Sequence, residues 1–403
     1  MDKKMLMTAA IVVAFLASSV ILVTMYNPES EDKEINLVAR VNTEGSGIYL
    51  DDDYSASDFI EVNPDGTPAR DSDGDIIYKV DAWRGKIFGT PGSTSIQHTQ
   101  LRDIVTEQLG LKFVYYDVNV PISNDSVYYQ ANIANAAAFE SSSNSHLVGG
   151  IVWQPQYQAL LESTARPCVS LMTTADFDPG HACCVIAGSH EFLKSHQDET
   201  VRFLVAYIKA VDWVNAALAD KTSDMYDQLV DIAMEKTGIS NPKVIEESLA
   251  SVVYTYGMSS PGDTLNAPLL SLEGDVQKVL DSFLASGDVK SSVYEKMGFS
   301  STHEFAQRFV DDGYLKQALE YDSGSTYRSA IKVCCIAGDI HQIAVHVGVS
   351  LGYFDEMGIA VDISATTNGG NVAVTLQNGD ADLGFLGVPP ITTTVVNGGL
   401  SNS

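Results

Sequence analysis

The chain has 403 residues, of which 45% are hydrophobic, so it is long and apolar enough for two compact units with sizeable cores. This composition excludes a largely disordered protein. The formal net charge of −28 excludes a nucleic-acid-binding role, because phosphate backbones are recognised by basic patches.

The N-terminus predicts a membrane anchor. Lys3 and Lys4 precede 22 residues without a charge, residues 5–26, which is long enough to span a bilayer. The two lysines place the short end in the cytoplasm, and no cysteine follows the run to carry a lipid. We therefore expect residues 1–34 to form a cytoplasmic stub, a single uncleaved transmembrane anchor and an acidic spacer, with the globular part periplasmic or extracellular. Cleavage near Ala17 is the alternative.

The first half of the globular region reads as alternating strands and helices. A strand at 35–40 and a Gly-rich turn at 45–47 precede an acidic, turn-rich hairpin at 51–82. The later elements are a strand from 83, a helix at 95–109, a strand at 112–116, a helix at 127–139 and a strand at 147–152. This alternation predicts a parallel, doubly wound sheet. Asp71 to Asp75 look like a calcium loop, but the sixth position is Ile76 and the twelfth lacks Glu, so we expect an exposed hairpin tip and no metal site.

The second half is mostly helical. A buried strand at 182–187 is followed by helical patterns at 199–217, 225–237, 243–253, 272–286, 292–297 and 302–311. Residues 321–327 are polar and contain glycine, which is typical of a linker.

The C-terminal block carries a family resemblance. It runs from a strand that begins near Ser329, through Gly352-Tyr353-Phe354, a strand at 360–365 and Asn368-Gly369-Gly370, to the segment from Gly379 to Pro390. This block resembles the opening of solute-binding proteins of the nitrate/sulfonate/taurine type, which feed ABC importers. Further resemblances lie at 37–47, 85–93, 149–155 and 203–210.

The resemblance implies a type II periplasmic-binding-protein fold, with two lobes that are each a doubly wound, mostly parallel sheet. It implies the solute-binding subunit of an ABC importer, which captures a small anionic solute such as a sulfonate, taurine or nitrate and delivers it to a permease and its ATPase. No catalysis, cofactor or metal is expected. Residues 35–82 with 179–403 form lobe 1, including the helical region 190–320, and 83–178 form lobe 2. The lobes are expected to hinge near 81–84 and 179–183.

The order of the segments is unusual. In the family the block at 329–403 is N-terminal, whereas here it is C-terminal and the strand at 35–40 opens the globular region. The chain therefore looks circularly permuted. A truncated tandem copy is the rival interpretation.

Four turns that follow strands and open helices are the candidate binding elements. They carry Gly45 and Ser46; Thr90, Ser93 and Thr94; Asn368 and Gly369; and Gly387 and Pro389. Free backbone N–H groups and the positive end of a helix dipole suit an oxyanion, and such turns gather at the carboxyl edge of a parallel sheet. The alternative is that each glycine only permits a tight turn.

Three further side chains are candidates for the same cleft. Trp153 follows a strand and would form a wall or lid of the pocket, with interlobe packing as the alternative. His341 and Gln342 begin the first helix of the C-terminal block and are expected to face the cleft. A capping or a solvated histidine is the alternative for His341.

Enzymatic interpretations have less support. The chain lacks Gly-x-Ser-x-Gly, a P-loop lysine motif and His-Glu-x-x-His. The five cysteines, Cys168, Cys183, Cys184, Cys334 and Cys335, read as core residues, since adjacent strand residues point to opposite faces. An enzyme family of the same fold makes the thiamine pyrimidine with a cysteine cluster and a histidine, so Cys334, Cys335 and His341 are its candidates. Such an enzyme, or a ligand sensor, is the alternative function.

Overall fold

The computed structural model describes residues 35–257, 271–290, 297–322 and 327–398. The predicted anchor at 5–26 lies outside the described residues, as do most of the predicted helix at 292–297 and the centre of the linker at 321–327. Within the described ranges, no helix is both long and apolar enough to cross a membrane.

The strands alternate with helices in the first half and return in the C-terminal block. In chain order they are β1 (Ile35–Arg40), β2 (Asn42–Glu44), β3 (Ser46–Asp51), β4 (Ile87–Gly89), β5 (Lys112–Tyr115), β6 (Ser126–Gln130), β7 (Gly149–Trp153), β8 (Cys168–Thr173), β9 (Cys184–Ser189), β10 (Val252–Tyr254), β11 (Ser329–Ile336), β12 (Ile359–Thr366) and β13 (Leu383–Gly387).

The helices lie between and after these strands. They are α1 (Ala56–Phe59), α2 (Val80–Trp83), α3 (Ile96–Asp103), α4 (Ala136–Glu140), α5 (Gln156–Leu161), α6 (Thr174–Phe177), α7 (His190–Ser195), α8 (Gln197–Ala219), α9 (Asp224–Thr237), α10 (Pro242–Ala250), α11 (Leu272–Ser286), α12 (Thr302–Phe309), α13 (Gly313–Leu319), α14 (Ile343–Ser350), α15 (Tyr353–Glu356), α16 (Gly369–Gln377) and α17 (Val388–Gly398). A π-helical turn, Ile104–Gln108, extends α3.

A five-stranded sheet in the order β1-β9-β13-β11-β12 forms the first lobe. β11 is parallel to β12 and β13, whereas β9 is antiparallel to both of its neighbours, β13 and β1. β1 therefore runs in the same direction as the three C-terminal strands. Helices cover both faces, with α8 and α14 in one hydrophobic cluster and α11, α16 and α17 in the other. Burial on both faces explains why β13 is apolar along its whole length.

A six-stranded sheet in the order β5-β6-β4-β7-β3-β8 forms the second lobe. β5, β6, β4 and β7 are parallel, and β3 is antiparallel to β7 and β8. β3 and β7 approach so closely that a Cβ on Gly149 would lie 2.1 Å from the Tyr49 carbonyl oxygen. Only glycine fits there.

This placement of β3 corrects the predicted lobe boundary. Residues 46–82, which were expected in lobe 1, lie with the second sheet, because Phe59, Ile60 and Ile76 share a hydrophobic cluster with Ile48 of β3. The chain changes lobe at Gly45, whose φ is +89°. The sequence predicted that the chain enters the second lobe only after residue 82, because the acidic hairpin at 51–82 is typical of a solvent-exposed connection.

Two adjacent segments, residues 41–46 and 174–184, connect the sheets. The Cys183 N–H donates to the Asn42 carbonyl at 3.1 Å, and the Val41 N–H donates to the Cys184 carbonyl at 2.9 Å. The second segment includes the expected hinge at 179–183. The other expected hinge, at 81–84, is not a crossover, because α2 at 80–83 packs Trp83 into the core of the second lobe.

The predicted helix at 127–139 is wrong. Residues 126–130 form β6, which pairs with both β4 and β5, and only α4 is helical in this stretch. Tyr128 and Tyr129 are typical of a half-buried strand, and Asn135 caps α4 by accepting from the Ala138 N–H. The predicted helix at 243–253 also ends early, because its last residues pair with β2 as β10.

Candidate functional site

Three of the four predicted turns meet between the lobes. Ser95 and Asn368 cap α3 and α16 with their side-chain oxygens. A Cβ on Gly370 would lie 4.0 Å from Thr94 Oγ1, so the turn before α3 faces the turn that opens α16. A Cβ on Gly369 would lie 2.9 Å from Pro390 Cγ, which brings the start of α17 to the same place. The N-termini of three helices, one from the second lobe and two from the first, are therefore neighbours.

The residues of these turns differ in exposure. Ser93, Thr94 and Asn368 are exposed, whereas Gly369, Gly387 and Pro389 are buried. The Gly387 Cα faces the ring of Pro390 and the Cys183 carbonyl oxygen, which a Cβ would meet at 3.3 and 3.5 Å. The exposed polar groups are thus on the side of the turns that a solute can reach.

The fourth turn, with Ser46, is satisfied by the protein. Ser46 Oγ accepts from Gln97 Nε2 at 3.0 Å, and its N–H donates to Thr174 Oγ1 at 3.2 Å. Ser46 is buried at the crossover between the lobes. Sequence reasoning found Ser46 but missed Gln97 and Thr174, because nothing in their local sequence distinguishes them from other helix residues.

His341 lies beside this crossover. Its Nδ1 donates to Asp339 Oδ1 at 2.6 Å and its Nε2 donates to the Gly45 carbonyl at 3.0 Å. A carboxylate and a carbonyl can only accept, so both ring nitrogens carry protons. Burial opposes the charge, but Asp339 and Cys183 outweigh it and raise the pKa of His341 to about 9. A Cβ on Gly45 would lie 2.2 Å from Nε2, so glycine is needed there.

Gln342 is fully buried and joins two strand ends. Its Oε1 accepts from the Ile336 N–H at 2.9 Å, and its Nε2 donates to the Phe385 carbonyl at 3.0 Å. These bonds tie β11 to β13. In this arrangement the polar groups of His341 and Gln342 have protein partners, and their contact with a solute stays a prediction.

Thr90 and Trp153 lie at strand ends of the second lobe. Thr90 is buried, with its Oγ1 3.2 Å from His98 Nδ1. Burial and the nearby Arg102 lower the pKa of His98 to about 4, so that ring is neutral. Trp153 is half-buried and pairs with Ser46 in the sheet. The next residue, Gln154, accepts from Ser248 Oγ of α10 at 2.9 Å, so Trp153 stands beside an interlobe contact.

A charged cluster that the sequence did not reveal lies deeper between the lobes. It lines a cavity of about 30 Å³ that Gln100, His181 and Pro389 also border. Lys278 Nζ is 2.6 Å from Asp178 Oδ1, Gln100 Nε2 donates to Asp178 Oδ2 at 3.1 Å, and Arg40 is 2.7 Å from Asp275. These contacts join α3, α11 and the second crossover. Only their tertiary arrangement makes them a cluster.

The cysteines are core residues. Cys334 and Cys335 are buried in different hydrophobic clusters on opposite faces of the first sheet. Burial raises the pKa of the Cys335 thiol well above its usual range. Among the described residues, the groups near enough to share a metal ion are Asp51, Asp52 and Asp53, and Asp51 is already paired with Arg166 at 2.6 Å.

Two α/β sheets joined by paired crossovers, with helix N-termini meeting between them, define a two-lobed protein that fits the periplasmic binding fold. The chain belongs to the NMT1-like family, whose profile matches residues 5–226. A second profile, NMT1/THI5 like, matches residues 340–399. These matches confirm the resemblance to solute-binding proteins of the nitrate/sulfonate type.

A solved structure is also similar. The periplasmic nitrate-binding protein NrtA from Synechocystis PCC 6803 aligns with a TM-score of 0.43 and 12% sequence identity, over 71% of this chain and 67% of that one. No curated protein matches the chain.

Proposed function

We propose that the chain is the solute-binding subunit of an ABC importer, which captures a small anionic solute between its lobes and passes it to a permease. The meeting of the N-termini of α3, α16 and α17 at the interlobe surface carries this proposal. α3 and α16 each offer backbone N–H groups without helical partners at the positive end of a helix dipole, which favours an anion. α17 adds its dipole but not N–H groups from its first turn, because Pro389 and Pro390 have none and the Val388 N–H donates to the Cys183 carbonyl at 3.2 Å. The exposed Ser93, Thr94 and Asn368 supply further polar contacts.

The charges near these turns limit the solute. Arg102 lies beyond them on α3 and is bound by Asp103 and Asp288, and Arg40 is bound by Asp275. Neither arginine is available for a doubly charged ligand. A singly charged oxyanion group, such as nitrate or the sulfonate group of taurine or of an alkanesulfonate, fits the turns better.

Location and partners follow from this role. We propose that the run at 5–26 anchors the chain and that the lobes lie outside the cytoplasm, where they meet the permease of an importer with its ATPase. Membership of the NMT1-like family supports this assignment. Permutation of the chain belongs to the same proposal. Its support is that β1 is parallel to β13 and that α17, which follows β13, shares a hydrophobic cluster with Ile35.

A thermal-shift screen tests the function. Nitrate, taurine, alkanesulfonates, bicarbonate and pyrimidines are added to the purified chain, and a ligand at a hundred times its dissociation constant is expected to add about 2.7 kcal/mol to the free energy of unfolding. Thr94→Trp fills the meeting place of the turns and is expected to abolish the shift. Thr222→Trp, at another exposed threonine, in the loop between α8 and α9, is expected to keep the shift.

Two results would contradict the proposal. One is the absence of stabilisation by every anion in the screen. The other is an undiminished shift in Thr94→Trp, which would place the solute elsewhere. Stabilisation by a pyrimidine alone would favour the alternative, an enzyme or sensor of the same fold, to which the NMT1/THI5-like match at 340–399 gives some support. Against the enzyme, Cys334 and Cys335 lie on opposite faces of the sheet.

A further inference from the structure

A second cavity, of about 690 Å³, lies at the outer rim of the interlobe contact. Its walls are the tip of the hairpin at 70–78, the helix α3 and the helix α11, so both lobes contribute to it. We call it the outer groove and define it by Tyr78, Gln100, Glu107, Phe177, Lys278 and Asp281. Its volume falls in the range of small-molecule sites in proteins.

The outer groove is strongly acidic. Five carboxylates border it and only two cationic side chains, Arg70 and Lys278. Arg70 donates to the carbonyls of Gly74 and Asp176, and Lys278 is paired with Asp178. The carboxylates of Asp75, Glu107 and Asp281 have no ion-pair partner among the described residues. A cleft lined by one sign of charge concentrates ions of the opposite sign.

Gln100 gives an independent indication of a ligand. Its Nε2 faces Asp178 Oδ2, and because a carboxylate only accepts, the amide orientation is fixed. The other atom, Oε1, is then an acceptor, and it is buried without a hydrogen-bond partner. Gln100 is only 6% exposed and borders the groove. A buried acceptor without a donor costs about 1–3 kcal/mol, which a donating ligand would recover.

The apolar part of the groove fits the same class of ligand. Tyr78 and Phe177 are partly buried and border the groove, so they give it an aromatic wall that an organic molecule could contact. Aromatic faces attract cations, and Tyr and Phe are suitable partners for ammonium and guanidinium groups. An inorganic metal ion would make no use of these rings.

We propose that the outer groove binds an organic cation that carries several N–H donors, such as a polyamine or a guanidinium compound. Its nitrogens would donate to Gln100 Oε1 and to the carboxylates of Glu107 and Asp281. This site does not rest on the proposed capture of an anion. Because α3 and α11 belong to different lobes, a cation held between them also stabilises the contact between the lobes.

The test is isothermal titration calorimetry of the purified full chain with spermidine and with agmatine, at about 0.15 M ionic strength, where exposed charges are screened beyond about 8 Å. We expect one site per chain. The double variant Glu107→Gln/Asp281→Asn changes two exposed residues and is expected to weaken binding at least about tenfold, the equivalent of about 1.4 kcal/mol. Gln100→Met removes the acceptor and is expected to weaken it severalfold.

A matched control separates this site from the general acidity of the chain. Asp227→Asn/Asp231→Asn removes two exposed carboxylates from α9, away from the groove, and is expected to leave the affinity unchanged. Equal losses in the two double variants, or several weak sites per chain, would overturn the proposal, as would the absence of binding. The anion screen on the same samples is independent, so failure of one proposal does not affect the other.

Discussion

At the scale of single residues, His341 shows how one buried side chain joins the lobes to their crossover. Its ring is held between Asp339 and the Gly45 carbonyl, on the segment that leads into the second lobe. Burial opposes the charged ring, but the charges of Asp339 and Cys183, and then the two hydrogen bonds, raise its pKa to about 9. The structure shows that this ring connects Asp339 to the crossover at Gly45, and its contact with a solute stays a prediction.

The raised pKa of His341 predicts a pH dependence. A folded-state pKa of about 9, above the unfolded value near 6.5, means that the stabilisation is complete below about pH 6.5 and is lost as the pH rises through 9. The stabilisation that the raised pKa of His341 contributes is at most about 3 kcal/mol. We expect His341→Gln to be less stable than the native chain at pH 6, with the difference shrinking by pH 9.5.

Urea unfolding of both proteins at several pH values measures that difference directly. Groups that do not interact with His341 titrate alike in the two proteins, so they cancel in the comparison. A difference that stays constant from pH 6 to 9.5 would show that His341 is neutral in the folded chain.

At the scale of elements, α3 and α11 form one of the contacts between the lobes. Arg102 of α3 is bound by Asp288 and Ser282 and donates to Ser286 Oγ at 3.0 Å, at the end of α11. Ser95 starts α3 by accepting from the His98 N–H, so the helix direction that carries Arg102 across is fixed locally. Its partners in the other lobe are 180 or more residues away in the sequence, and no local pattern indicates them.

Loss of this contact is predicted to open the lobes. Arg102→Gln removes the hydrogen bonds of a charged guanidinium group to Asp288 and two serine hydroxyls. Hydrogen bonds to a charged group are worth about 1.5–3 kcal/mol, so the ratio of closed to open forms should fall by about tenfold or more. Each lobe keeps its own core, so the variant should stay folded. Small-angle X-ray scattering should show a larger radius of gyration without solute.

Lys316→Gln is the control for that measurement, because its pair with Asp312 lies within one lobe. It is expected to keep the native radius of gyration. If Arg102→Gln scatters like the native chain, α3 and α11 do not determine closure.

At the scale of the whole molecule, the direction of the strands is the main support for permutation. β11, β12, β13 and β1 all run the same way, with β9 inserted antiparallel between the last two. If α17 were joined to β1, the four strands would be consecutive α/β units of one sheet. In the structure the C-terminal block contributes three of the five strands of this sheet. A truncated tandem copy would instead leave this block apart from the rest of the chain.

A relinked chain tests this proposal. It begins at Ser329, continues to residue 398, crosses a Gly/Ser linker of about ten residues with a root-mean-square span of about 17 Å, and runs from Ile35 to Asp322. We expect the same circular dichroism spectrum and an unfolding midpoint within about 5 °C of the native globular region, since every strand keeps its neighbours.

The matched control has its new ends inside β9, between Ile186 and Ala187, where the break would interrupt pairing with both neighbouring strands. It is expected not to fold. A relinked chain that is unfolded, or that folds only as an exchanged dimer, would favour the truncated tandem copy.

The sequence by itself determined the alternation of strands and helices, the family and the turns at Ser93, Asn368 and Gly387, because each depends on residues that are near one another in the chain. The sequence wrongly predicted a helix at Val127 to Tyr129, where pairing with two neighbouring strands imposes a strand. It also placed the boundary between the lobes too late in the chain. The tertiary structure alone decided that His341 joins Asp339 to Gly45 and that Gln100, Asp178 and Lys278 form one cluster. Their partners lie up to 296 residues away, and only packing brings such groups within hydrogen-bonding distance.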